Sequence, residues 1–75
     1  MSRELLELSR MRSLVAGSMV GPLRRAAGLT QAEIARDVGV HPSTVAYWER
    51  GHMPRGEAAV RYARLVCELE SVARR

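Results

Sequence analysis

Apolar residues recur three and four positions apart along almost the whole chain, and this spacing puts them on one side of a helix. No segment alternates apolar and polar residues with the two-residue period of a strand, so the pattern predicts an all-α fold. The first helical run covers residues 1–17, where Ser2 is placed to cap a helix and Gly17 to end it. Its apolar face consists of Leu5, Leu8, Met11, Leu14 and Val15.

Two short helices are predicted next. One covers residues 20–27, with Pro22 in its first turn, where a missing amide hydrogen costs nothing. The other begins after Thr30, because Thr30 and Glu33 have the spacing of a capping box, and it ends at Gly39.

A fourth helix is predicted to start at Pro42, with His41 as its cap, and to end at Gly51. After a short loop, one long helix covers residues 56–73. Its apolar residues lie four and three positions apart, as in a coiled coil. They are Ala58, Tyr62, Leu65, Leu69 and Val72. The pattern therefore predicts a small five-helix bundle.

The length of the chain limits it to one domain, residues 1–75, with a marginal core. A single cysteine, Cys67, cannot form an internal disulfide, and no Cys/His cluster indicates zinc. No metal or cofactor is therefore expected. Small domains usually need some additional stabilising link, and self-association is the one that remains.

The charge of the chain favours a polyanionic partner. Its twelve basic residues are all arginines, against eight acidic residues, so the net charge is +4 and the pI is near 10.6. The planar guanidinium group donates paired hydrogen bonds that suit phosphates and base edges.

Several classes of protein are excluded by what the sequence does not contain. No run of ~20 apolar residues could span a membrane, and no signal peptide is recognisable. A lone thiol fits a reducing compartment, so a cytoplasmic, nucleoid-associated protein is expected. No nucleophile with a base, no paired carboxylates and no metal set are present, so an enzyme is not expected.

The two helices around Gly39 have the arrangement of a helix-turn-helix, a short helix and a tight turn followed by a second helix. The residues that carry a closer likeness are Thr30-Gln31, Ala35, Gly39-Val40, Ser43-Thr44-Val45, Trp48-Glu49 and Gly51. Over residues 20–54 the chain resembles the Cro/phage-repressor family, also called the xenobiotic-response-element family. The resemblance implies that helix 42–50 enters the major groove of double-stranded DNA at a palindromic operator.

Three features depart from the family pattern. His41 and Pro42 stand where the family more often has Ser and a polar residue. One long helix follows the loop where the family usually has two short ones. The helix predicted over residues 1–17 lies outside the family's core.

The resemblance places the outward face of helix 42–50 against the bases. Polar side chains on that face can form hydrogen bonds with base edges, and apolar ones can contact a thymine methyl group. The alternative is an ordinary capped and solvated helix surface. The predicted base-contacting residues are Pro42, Ser43, Thr44, Ala46 and Tyr47.

A second group of residues is expected to contact phosphates. In the resembled family the residue type at Gln31 binds a phosphate at a helix N-terminus. Two members of the group have open alternatives, since His41 can simply cap its helix and Arg36 can be a solvated charge. The predicted phosphate-contacting residues are Gln31, Arg36, His41, Arg50 and Arg55.

Two further roles are structural. Arg24 and Glu49 hold positions that the family often fills with an ion pair, which would tie the second helix to the recognition helix. The apolar stripe of the last helix is expected to form a dimer interface. Its members are Tyr62, Leu65, Leu69 and Val72. A competing account covers this stripe within one chain by Leu5, Leu8 and Val15, which would leave a monomer.

The leading interpretation is a sequence-specific transcriptional regulator, a homodimeric repressor whose two copies read half-sites about 34 Å apart. The alternative is an antitoxin that binds both operator DNA and a toxin, with the N-terminal helix as the surface for that protein partner. A helical interaction module that has lost DNA binding is a third interpretation, and the arginines around Gly51 argue against it.

Overall fold

Five helices joined by short connections account for the architecture of the computed structural model, which describes residues 1–75. The helices are α1 (Arg3–Ala16), α2 (Val20–Ala26), α3 (Gln31–Val38), α4 (Pro42–Glu49) and α5 (Gly56–Ala73). The all-α prediction is confirmed. None of the helices is both long and apolar enough to cross a membrane.

Local capping signals set the boundaries of the helices. The Ser2 hydroxyl accepts a hydrogen bond from the Leu5 amide, 3.1 Å away, at the start of α1. At the start of α3 the Glu33 amide donates to the Thr30 hydroxyl (3.0 Å), and the Thr30 amide donates to the Glu33 carboxylate (2.8 Å). Both bonds of the predicted capping box are therefore present.

All five helices contribute buried side chains to the core, and α1 is part of it. Met11 and Val15 on α1 are almost fully buried, together with Val45 on α4. The rings of Trp48 and Tyr62 pack with their centroids 4.5 Å apart and their planes tilted by 49°. The helix outside the family's core pattern therefore completes the hydrophobic core of this small domain.

Burial within one chain reduces the surface that the predicted dimer interface can use, and the interface itself stays a prediction. Tyr62 is 0% exposed within one chain and offers no surface to a second subunit, whereas Leu69 is 6% exposed and keeps only an edge that lines a groove beside Val72. The Tyr62 hydroxyl has no hydrogen-bond partner, and burial raises the pKa of this phenol. The role of Tyr62 is thus packing. Of the predicted interface, Leu65 stays half-buried and Val72 is 48% exposed.

The competing account, in which α1 covers the stripe, agrees with part of the structure. Val15 is buried and Leu8 packs against the core, whereas Leu5 is 47% exposed. On the surface, Arg10 of α1 binds Glu70 of α5 through two guanidinium nitrogens. This contact holds together two helices that are far apart in the chain.

Arg61 links α5 to the end of α3. Its Nε donates a hydrogen bond to the carbonyl oxygen of Val38 at 2.8 Å. That carbonyl belongs to the last turn of α3, where helix carbonyls have no partner within the helix. The contact therefore anchors the first helix of the helix-turn-helix on α5.

Candidate nucleic-acid interface

The turn between α3 and α4 depends on Gly39. Its backbone is left-handed, with φ of +85°, and the next amide, that of Val40, donates to the carbonyl oxygen of Ala35 at 3.0 Å. A residue with a side chain would be strained in this conformation. The turn leads directly into α4, whose cap is His41 and whose first residue is Pro42, as predicted.

One face of α4 is fixed by the core, and this leaves the opposite face free. Val45 is 0% exposed and Trp48 is 6% exposed. The five residues predicted to contact bases keep exposed surface. Pro42, Ser43 and Tyr47 are exposed, and Thr44 and Ala46 are half-buried. Their contact with bases stays a prediction.

His41 caps α4 through its side chain. Its Nδ1 accepts a hydrogen bond from the Ser43 amide at 3.1 Å, and the Ser43 hydroxyl lies 2.7 Å from the same nitrogen. Because a backbone amide can only donate, Nδ1 is the acceptor in this bond, which leaves Nε2 as the ring nitrogen that can donate. His41 is exposed, so Nε2 is available as a donor while Nδ1 caps the helix.

A buried ion pair joins α2 to the end of α4. Arg24 donates to Glu49 through Nε at 2.6 Å and through Nη2 at 3.1 Å, and its Nη1 donates to the Leu29 carbonyl at 2.8 Å. Only 11% of the Arg24 side chain and 9% of the Glu49 side chain are exposed. The geometry predicted for this pair is present.

Gln31 is a third member of this cluster. Its amide nitrogen Nε2 donates to Glu49 Oε1 at 3.1 Å, so the first residue of α3 is tied to the last residue of α4. The family pattern indicated a phosphate contact for Gln31, and nothing in its spacing from Glu49 indicated this bond. Whether Gln31 also contacts a phosphate stays a prediction.

Glu49 is ionised in this setting despite its burial. Burial raises the pKa of the carboxyl. The hydrogen bonds from Arg24 and Gln31 and the charges of Arg24 and Arg25 lower the pKa by more than burial raises it, so the pKa lies below its ordinary value. Gly21 permits the close packing, because a Cβ there would stand 3.1 Å from Glu49 Oε1. The ionised cluster holds α2, α3 and α4 in one arrangement.

The three arginines predicted to contact phosphates have no carboxylate partner. Arg36, Arg50 and Arg55 are exposed, and the ion pairs of the chain involve other arginines. Their charges are therefore free to neutralise a polyanion. No group of three or more His, Cys, Asp or Glu side chains is placed to hold a metal ion.

The end of α4 carries an arrangement that the sequence did not indicate. The rings of Tyr47 and His52 stack in parallel, with centroids 3.7 Å apart and planes within 3°, and the Arg50 guanidinium lies 5.8 Å from the Tyr47 ring. Residues five apart do not share a helix face, so no periodicity could have predicted this stack.

Comparison with protein families identifies the helix-turn-helix that α3 and α4 form. The helix-turn-helix family model matches residues 23–65, which is more than half of the chain. The chain belongs to the Cro-type helix-turn-helix family. This family consists of DNA-binding regulatory domains and is not a family of enzymes, so the protein is a DNA-binding transcription regulator. No curated protein and no solved structure matches the chain.

The helix-turn-helix match includes every residue predicted to contact bases or phosphates, and also the Arg24–Glu49 pair. It leaves out α1 and the C-terminal end of α5. The residues outside the match include several that are buried in the core, and they also include the exposed Val72.

Proposed function

We propose that the regulator binds a palindromic operator as a homodimer and represses transcription by occupying a promoter at the nucleoid, in the cytoplasm. The observation that carries the proposal is the two-sided character of α4. One side is fixed in the core by Val45 and Trp48, and the other is exposed between unpaired arginines. A helix held in this way can be inserted into the major groove as a rigid element.

Each residue of the exposed face has a chemical role in the proposed complex. The hydroxyl groups of Ser43, Thr44 and Tyr47 donate to and accept from base edges, while Pro42 and Ala46 contact a thymine methyl group. The engagement of Ser43 with His41 restricts the directions from which a base can approach its hydroxyl. Tyr47 is the largest of the five and reaches furthest from the helix.

Phosphate contacts on both sides would fix the depth of α4 in the groove. Arg50 and Arg55 flank the loop after α4, Arg36 lies on α3, and the exposed His41 lies at the start of α4. Gln31 lies at the N-terminus of α3, where the free backbone amides favour an anion. Such contacts position the domain without reading sequence.

A second copy of the chain would cover the apolar surface that α1 leaves open. The residues of α2 and α5 that line a groove of about 240 Å³ are all apolar: Leu23, Ala26, Ala27, Leu69, Val72 and Ala73. Val72 is the most exposed of the apolar side chains predicted for the interface. Burial of such a side chain stabilises an interface by about 1.5–3 kcal/mol, and a twofold axis doubles each gain.

Charges beside Leu65 also favour a second copy. An adjacent groove is lined by Asp37 and Glu68 together with Arg61 and Arg64. A twofold axis through this surface would bring the carboxylates of one subunit to the guanidinium groups of the other. A surface that carries both positive and negative charges beside an apolar residue can pair with a second copy of itself.

Selection of bound sequences from a random DNA pool tests the proposed function. We expect an enriched site with two inverted half-sites about 34 Å apart, because a dimer presents two copies of α4 to one face of the duplex. Recovery of sequences without any shared site would contradict sequence-specific binding. Recovery of a single half-site without an inverted repeat would contradict the dimer.

An antitoxin is the second candidate function, and exposed leucines at the start of α1 favour it. Leu5 and Leu6 are 47% and 54% exposed, on a helix whose later turns are buried. In an antitoxin this surface would bind the toxin. Changing both leucines to Ser should then abolish binding of the protein encoded by the neighbouring gene and leave operator binding unchanged. Equal binding of that protein by the doubly changed chain would contradict this role.

A further inference from the structure

His52 lies outside every helix, yet its ring covers a ring of the recognition helix. The imidazole stacks on the Tyr47 phenol with a centroid distance of 3.7 Å and an interplanar angle of 3°. Both side chains are exposed, and Tyr47 retains 48% of its surface. The stack therefore forms on the surface of the domain, beside the residues proposed to meet the bases.

The backbone after α4 brings the two rings together. Gly51 has φ of +102°, and the His52 amide then donates to the Tyr47 carbonyl oxygen at 3.4 Å. This reversal places a side chain from the loop over a residue five positions earlier. The left-handed conformation at Gly51 is unfavourable for residues with a side chain, so the stack depends on glycine at this position.

The stack restricts where the Tyr47 hydroxyl can point. An exposed tyrosine on a helix otherwise samples more than one rotamer, and ordering it on binding lowers the affinity. One face of the Tyr47 ring is covered by His52, and the Arg50 guanidinium lies 5.8 Å from the ring centre. The phenol is thus held in one orientation before any DNA is present.

We propose that His52 is a positioning residue for sequence recognition, one that fixes the Tyr47 ring so that its hydroxyl meets a single base pair. This inference rests on the proposed function, in which the exposed face of α4 reads bases. His52 itself need not contact a base. Its effect is confined to the base pair that Tyr47 reads, because no other base-contacting candidate stacks on it.

The test compares binding to the selected operator and to a random duplex at equal salt for five proteins. These are the unchanged chain and the His52→Ala, His52→Phe, Tyr47→Ala and Met53→Ala variants. Phe at position 52 keeps an aromatic ring for the stack. Met53 is the adjacent exposed residue of the same loop, so its replacement is the matched control.

We expect His52→Ala to reduce the preference for operator over random duplex by about two- to tenfold, the range that an aromatic pair contributes. His52→Phe should restore most of the preference, and Met53→Ala should retain it. Selection from a random pool should show the lost preference at the same base position for His52→Ala and Tyr47→Ala. Thermal unfolding curves should show every variant folded at the temperature of the binding measurement, with Tm lowered by a few degrees where the aromatic pair is lost.

Four results would overturn the inference. An equal loss on operator and random duplex would make His52 a phosphate contact. If His52→Ala relaxes the preference at all base positions, or if His52→Phe does not restore the preference, the role of His52 is general to the fold. If His52→Ala keeps the full preference for operator while Tyr47→Ala loses it, the proposed function stands and this inference alone fails. If the unchanged chain shows no preference for any sequence, the proposed function fails first.

Discussion

Glu49 is the residue at which three helices meet. It accepts hydrogen bonds from Arg24 of α2 and from Gln31 of α3, and it is itself the last residue of α4. Removing Arg24 or Glu49 leaves the other charge without its ion-pair partner in a largely buried place. The orientation of the recognition helix relative to the rest of the domain therefore depends on this carboxylate.

Replacing Arg24 or Glu49 by Ala should each destabilise the domain by up to about 3 kcal/mol, because the pair is partly buried, and the double replacement should cost less than the sum. Urea unfolding followed by circular dichroism measures these changes. Arg10→Ala is the matched control, because the Arg10–Glu70 pair has a 47% exposed guanidinium group and should contribute much less. Equal destabilisation by Arg10→Ala and Arg24→Ala would contradict the distinction between the two pairs.

The pKa of Glu49 predicts how stability depends on pH. In the folded chain this pKa lies below its ordinary value of 4.5, so the unfolded chain binds protons more readily. The stabilisation is complete above pH 4.5 and is lost as the pH falls through the folded pKa. Glu49→Gln should be less stable at neutral pH and should lose less stability on acidification.

Urea unfolding from pH 7 to pH 3 would measure this dependence. Glu33 and Glu70 also have lowered pKa values in the folded chain, because of hydrogen bonds from Thr30 and Arg10, so some acid dependence should remain in Glu49→Gln. An acid dependence identical to that of the unchanged chain would mean that Glu49 contributes nothing to it.

At the scale of the elements, α4 and the loop after it divide two tasks. The exposed face of α4 is proposed to read bases, and Arg55, at the start of α5, is proposed to bind a phosphate. A change at Arg50 would affect both tasks, because Arg50 is proposed to bind a phosphate and its guanidinium group also lies near the Tyr47 ring. Arg55 is therefore the cleaner probe of the electrostatic contribution.

Arg55→Ala should reduce the magnitude of the slope of log K against log salt by about 0.9 on duplex DNA, since one phosphate contact is lost. Sequence preference should stay nearly unchanged. Affinities measured over a series of salt concentrations test this, with Met53→Ala as a neutral control from the same loop. An unchanged slope would remove Arg55 from the phosphate-binding set.

The boundaries of the elements were predictable because their signals are local. Thr30 with Glu33, Gly39 at the turn and Pro42 after His41 each determine a helix end within a few residues of themselves. The Tyr47–His52 stack was not predictable in this way. It arises from the direction that the chain takes after Gly51, and no spacing in the sequence encodes that direction.

At the scale of the whole molecule, packing decided which apolar residues became core. The periodicity of α5 showed that Tyr62 and Leu69 lie on an apolar face, but periodicity cannot show what covers a face. The bundle covers both of them within one chain. For this reason the sequence could predict the helices and most of the core, and it could not show that Tyr62 and Leu69 are buried within one chain.

The remaining apolar surface makes a prediction about assembly. Val72→Glu should give a folded monomer that binds operator more weakly, because Val72 is 48% exposed and its replacement leaves the core intact. Sedimentation at several protein concentrations measures the change in mass. Ser71→Glu adds the same charge at the neighbouring exposed position and should leave the dimer intact. A monomeric unchanged chain that binds one half-site tightly would contradict the dimer.

The central claim is that the exposed face of α4 reads DNA sequence, and Tyr47→Ala tests it most directly. The measurement is the ratio of Kd for the selected operator to Kd for a random duplex of equal length at the same salt. The account predicts that Tyr47→Ala moves this ratio toward one by weakening operator binding alone, since a base contact contributes to one sequence and not to another. An equal loss of affinity for both duplexes would contradict it.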